Sequence, residues 1–119
     1  MTVTIEEMTP RVSEVYDVGA ILEHSWGYDQ TNIDFFVVVK RNTTPTGQVW
    51  VTLRPMTVST QETGFMCGDS VPGVVDYSAR PLRRKVHVWN GEEHGVAIWS
   101  SYGWCSLWDG KPSRTSWYA

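Results

Sequence analysis

The sequence predicts a mainly β domain: a small, strongly bent sheet or SH3-like barrel of five to six strands with little helix. Three observations lead there. Short runs in which apolar and polar residues alternate recur between clusters of Gly, Pro, Asn and Asp, the period-2 signature of strands. One run, Ile33 to Val39, is apolar on both parities, as expected of a strand covered on both faces. The pair Asn90-Gly91 sits between two further alternating runs, the strongest short-range signal of a hairpin. A chain of 119 residues is one domain in size, and such a domain buries roughly 65% of the surface its unfolded chain exposes.

In chain order, residues 1–16 read as an acidic N-terminal arm. Thr4 and Glu7 fit a capping box, but Pro10 argues against a continuous helix, leaving a short helical turn or irregular chain. Residues 17–119 read as the β domain. Its first strand is expected in VGAILEH (18–24). The clearest is IDFFVVVKR (33–41), with Ile33, Phe35, Val37 and Val39 on one face and Asp34, Phe36, Val38 and Lys40 on the other. The cluster NTTPTG turns the chain into QVWVTLRP, where Val49, Val51 and Leu53 alternate with Trp50, Thr52 and Arg54. Residues 59–80, with Gly64, Gly68, Pro72 and Gly73, read as loop. RKVHVWN and HGVAIWS form the hairpin. Val86 and Val88 point one way and His87 and Trp89 the other. The tail turns at Asp109-Gly110 and carries too many rings, Trp104 and Trp108 among them, to stay unfolded. Its rings are expected to be buried by packing back on the sheet.

Seven tryptophans are many for this length. Trp50, Trp89 and Trp99 fall on one parity of three predicted strands. That second face is either a covered packing layer or an exposed stacking surface of the kind single-strand nucleic-acid binders use. The net charge of −3 does not favour strong nonspecific attraction to nucleic acid. It is unevenly spread, however: acids dominate the first 34 residues, and Arg80, Arg83, Arg84 and Lys85 form a basic knot. That knot is either a solvated turn and strand edge or a contact for phosphate or an acidic partner.

No constellation specifies catalysis. Cys67 and Cys105 are isolated thiols, read as reduced, and the three histidines form no HxH or HExxH pair, so neither a metal nor another cofactor is expected. His87 and His94 read as half-exposed and solvated. His24 is a candidate acid–base group with Asp29 or Asp34. The stretch SWGYDQTNIDFF is either a tight turn before the central strand or a ligand or partner site built around Trp26, Tyr28, Asp29, Asn32 and Asp34. Asp34 needs a partner or solvent, because it begins an otherwise apolar strand. Trp108 and Lys111 from the tail are expected to pack against this stretch as one rim of the domain, with Lys111 a candidate charge partner of Asp34.

SWGYDQTNIDFFVVVKR, the strand ending TLRP, and SYGWCSLWDGKPSRTSWYA resemble a family of small proteins of bacteriophages and other mobile elements. The resemblance covers residues 18–54 and 95–119. It implies a bacterial cytoplasmic setting and lends no catalytic residue. The expected function is that of an accessory binding protein, engaging a host or defence protein or a nucleic acid or nucleotide without catalysis. The alternative is a small hydrolase using His24 with Asp34. Neither a signal-peptide pattern nor an apolar run near the ~20 residues that span a bilayer occurs, so no membrane partner is expected. The oligomeric state is left open.

Overall fold

The structure, a computed structural model, describes residues 9–26, 32–64, 67–97 and 104–116, with only the backbone of Trp26, Asn32, Cys67 and residues 114–116. Eight strands make up the described secondary structure: β1 (Ile21–Trp26), β2 (Asn32–Thr43), β3 (Val49–Gly64), β4 (Cys67–Val75), β5 (Leu82–Trp89), β6 (Glu92–Ala97), β7 (Trp104–Leu107) and β8 (Ser113–Ser116). No helix occurs among the described residues. Six of the strands close into an antiparallel barrel in the order β2-β1-β7-β6-β5-β3, with β2 pairing back onto β3. Closure removes the free edges that an open sheet of this size would present.

The interior follows from strand alternation. Leu22, Phe36, Val38, Val49, Val51, Leu53, Val86, Val96 and Cys105 point inward as one cluster, with Ala20 and Tyr16 added at one end. Tyr16 is 4% exposed, so the segment before residue 17 contributes to the core. Arg41 holds it there. Its Nη1 donates to the Tyr16 carbonyl at 2.7 Å, and it grips the Glu93 carboxylate with two bonds of 3.0 and 2.6 Å. The described part of the arm is irregular, and Arg11 bridges Ala20 in parallel fashion.

A second cluster lies outside the barrel. β3 is 16 residues long, and only its first part sits between β2 and β5. Beyond Pro55 it runs out with β4, and β8 pairs onto β4. This ribbon folds over the outer wall of β1 and β2, burying Ile21, Ile33, Phe35, Val37, Met56 and Trp108, with Val71 and Val75 against them. The Ser113 hydroxyl donates to Glu23 Oε2 at 2.6 Å and ties β8 to β1. The two-sided apolar run of β2 is thus explained: Phe36 and Val38 fill the barrel, while Phe35 and Val37 fill the outer core.

The ribbon corrects the expectation of loop over residues 59–80. Its Thr, Ser, Gly and Pro content reads as loop, yet specific cross-strand contacts hold it. Thr60 and Ser70 hydroxyls meet at 2.8 Å, and Thr57 Oγ1 accepts from the Val74 N–H at 2.9 Å where the register shifts. The hairpin forms as the sequence predicts, through a two-residue turn with φ of 55° at Asn90 and 80° at Gly91. A bulge places the extra residue His94 on β6, opposite the His87–Val88 step, and beyond it Val88 is 40% exposed while Val86 of the same parity is buried.

Candidate nucleic-acid interface

Half of the barrel wall is covered and half is not. The ribbon overlies β1 and β2. Across β3, β5, β6 and β7 the outward side chains meet solvent. Register sets what stands there. Trp50 on β3 lies opposite Lys85 on β5, and Thr52 lies opposite Arg83. Arg83 places its guanidinium carbon 4.4 Å from the centre of the Trp50 ring, a cation–π stack. Further along β5, the His87 ring meets Trp104 of β7 edge-on, with centroids 5.3 Å apart. These two strands are separated by β6, and Gly95 lets the contact span it. Gly95 has φ of 151°, and a Cβ there would stand 2.9 Å from the Cys105 carbonyl oxygen and 3.6 Å from the Trp104 ring.

Gly47, Gln48, Lys85, Val86, His87, Val88, Ala97 and Trp104 line a groove of about 430 Å³ on this wall. Trp104 is 55% exposed, which corrects the expectation that the tail's rings are all buried. Trp99, expected on the same face, lies outside the described residues. Cys105 points into the barrel, so alternation along β7 turns Trp104 outward. Trp89, at the hairpin end, is 64% exposed. The wall therefore offers π-faces beside fixed cations.

The basic knot does not act as one unit. Arg83 is exposed and stacked on Trp50. Arg84 alternates to the other side opposite Val51 and is half-buried, donating through Nη1 to the Arg83 carbonyl at 2.9 Å. Acidic groups gather elsewhere: Glu14, Asp17, Glu92 and Glu93 surround Arg41 in a second groove of about 430 Å³. The molecule is electrically two-sided despite its small net charge.

Of the residues read from SWGYDQTNIDFF, Tyr28 and Asp29 lie outside the described residues. Trp26 and Asn32 are backbone partners where β1 meets β2. Asp34 pairs in register with His24 on the barrel-facing side of the strands, with its carboxylate half exposed. Trp108 packs on the opposite side of β2, edge-on to Phe35 with centroids 5.6 Å apart, and its indole N–H donates to the Lys111 carbonyl at 2.8 Å. Lys111 itself is exposed. The tail does return across β1, as expected, but alternation along β2 puts Asp34 and Trp108 on different faces. The expected single rim is two separate environments.

Cys105, His24 and Asp34 stand in one lateral row across β7, β1 and β2. His24 is 1% exposed, and its Nδ1 lies 3.9 Å from Asp34 Oδ2, beyond a hydrogen bond. Its Nε2 is buried without a hydrogen-bond partner among the described residues. Burial lowers the His24 pKa, and the nearby Asp34 carboxylate raises it by less. Burial, with a smaller push from Asp34, drives the Cys105 thiol far above its usual range, so it stays protonated and unreactive. Among the described residues no three His, Cys, Asp or Glu side chains could share a metal ion.

A pH effect on stability follows. A histidine with a folded-state pKa below about 6.5 binds its proton more readily when unfolded. Its contribution is complete above that value. It declines as pH falls below it and levels off once the lower folded-state value is passed. Urea midpoints measured from pH 8 to pH 5 should show this decline in the parent chain and not in His24→Leu. An identical decline in the variant would assign it to other groups.

Comparisons with known protein families, curated proteins and solved structures return no match for this chain.

Proposed function

We propose that the chain is a non-catalytic binding protein whose uncovered wall takes single-stranded nucleic acid. The observation that carries this is the stack of Arg83 on Trp50 next to a groove lined by Lys85, His87 and Trp104. Bases stack on exposed rings whatever their sequence, and cations beside the rings neutralise the backbone. The acidic groove around Glu14, Asp17, Glu92 and Glu93 repels the same ligand and so favours one orientation on the surface. In the bacterial cytoplasm implied by the resemblance to phage and mobile-element proteins, such a site suits single-stranded DNA or RNA of host or invader.

A host or defence protein is the second reading. Trp89 and Trp104 are exposed residues of the type that anchors protein interfaces. The hydrolase reading has the burial of His24 against it, since a general base must come within hydrogen-bond reach of its substrate.

Titration of intrinsic fluorescence with an oligothymidylate at several salt concentrations tests the proposal. Quenching should saturate. Arg83→Ala with Lys85→Ala should flatten the slope of log K against log salt by roughly one to two units, at about 0.7 for each phosphate no longer neutralised. Absence of binding at low salt, or an unchanged slope, would remove the nucleic-acid reading and leave the protein partner.

A further inference from the structure

Tyr77 lies in the short connection between β4 and β5, at the end of the same wall, and is 67% exposed. It is not a loosely held ring. Arg54, on the outward side of β3, places its guanidinium carbon 5.3 Å from the Tyr77 ring centroid. Its Nη1 donates to the carbonyls of Tyr77 at 3.3 Å and Ala79 at 3.0 Å. The turn is locked beneath it. Asp76 N–H donates to the Pro55 carbonyl, and the Asp76 carboxylate accepts from both the N–H and the hydroxyl of Ser78 at 3.0 and 2.6 Å. These bonds hold the Asp76 pKa below its usual value, the Ser78 hydroxyl contributing most. They also occupy one acid beside the ring.

Trp50 and Arg54 are four residues apart on one strand, about 13 Å at ~3.3 Å per residue. Thr52 and Arg83 stand between them. The wall thus repeats one unit, an aromatic ring joined to an arginine, at two places along β3. Both of these Arg54 bonds use Nη1, so its Nη2 edge carries no hydrogen bond among the described residues.

We infer that Tyr77 with Arg54 is a second stacking subsite. The ligand is therefore an extended single strand and not a mononucleotide. This rests on the nucleic-acid reading of the wall and fixes the size of the ligand. A span of about 13 Å corresponds to about four nucleotides at ~3.4 Å each in a stacked strand, and fewer when extended. A first base stacks in the groove beside Lys85 and Trp104, the backbone passes Arg83 on Trp50, and a later base reaches Tyr77. Pre-ordering of the turn means that little chain entropy is lost on binding.

Length dependence separates this from the broader nucleic-acid reading. Thymidine monophosphate and oligothymidylates of about two to about twelve nucleotides are titrated against the parent chain, Tyr77→Ala and Trp104→Ala, with urea midpoints confirming that each variant is folded. The parent chain should gain affinity steeply up to about four nucleotides and then slowly. Tyr77→Ala should bind the dinucleotide as the parent does and lose roughly 5- to 150-fold on longer strands, the range for one stacked base. Trp104→Ala should lose affinity at every length. Equal binding of all lengths by Tyr77→Ala and the parent chain, with Trp104→Ala impaired, would overturn the second subsite while the nucleic-acid reading stood. No binding by the parent chain at any length would overturn both.

Discussion

A chain ending at Ser101 should show no cooperative unfolding transition. The deleted segment supplies β7, which closes the barrel between β1 and β6 through the pairs Leu22–Leu107, His24–Cys105 and Val96–Cys105. It also supplies Trp108, which fills the outer core against Phe35, and β8, which covers the free edge of β4. Burial of Cys105, Leu107 and Trp108 contributes about 1.5–3 kcal/mol for each large side chain. Their sum approaches the whole stability of an ordinary domain, about 5–15 kcal/mol. Loss of β7 further exposes two strand edges and opens the inner core to water. Near-ultraviolet circular dichroism through a urea titration reads this directly. A truncated chain melting at the parent's midpoint and with its m-value would show that the tail is an appendage and the barrel closes without it.

The barrel was legible where local pattern and tertiary role coincide. β2 reads as doubly covered from its own residues, because Phe35 and Phe36 each need a core, and each has one. Asn90-Gly91 specifies its turn through backbone conformation alone. The pattern failed where a contact distant in sequence decides. The second half of β3 and all of β4 are strands because Val71 and Val75 find the outer core over β2, which nothing between residues 59 and 80 announces. The bulge at His94 on β6 is a single-residue slip that a period of two cannot anticipate. The wall was half legible. Trp50 and Arg83 belong to runs whose alternation exposes one face, so a stacking surface beside the basic residues was foreseeable. Arg84 belongs to the same runs, and its alternation to the other side could have been read in advance. Trp104 and Tyr77 reach the wall from β7 and from a turn. Only closure of the ring and the path from β4 to β5 bring them there.

The covered and uncovered halves of the wall should also separate in their response to substitution. Phe35 is 1% exposed and packs among Ile21, Ile33, Val37, Met56 and Trp108. Removing its ring in Phe35→Ala leaves a cavity between two layers that cannot collapse, because β2 is held from the other side by the inner core. The expected cost is about 3–5 kcal/mol, typical of a buried phenylalanine. The inner cluster from Leu22 to Cys105 is untouched, so the barrel should stay closed in the absence of urea. The part of the uncovered wall around Arg83, His87 and Trp104 lies on β5 and β7, away from the lesion, whereas Arg54 is the register partner of outer-core Val37 and Tyr77 follows Val75. Phe35→Ala should therefore lower the urea midpoint strongly while its affinity for the thymidine dinucleotide, which does not reach Tyr77, stays at the parent value when measured well below that midpoint. Trp104→Ala should give the reverse, since a ring 55% exposed contributes little to stability and, under the proposed function, is a base-stacking ring. Comparable losses of stability and of affinity in both variants would show that the outer core and the wall act as one unit, and not as a bracing layer separate from a binding surface.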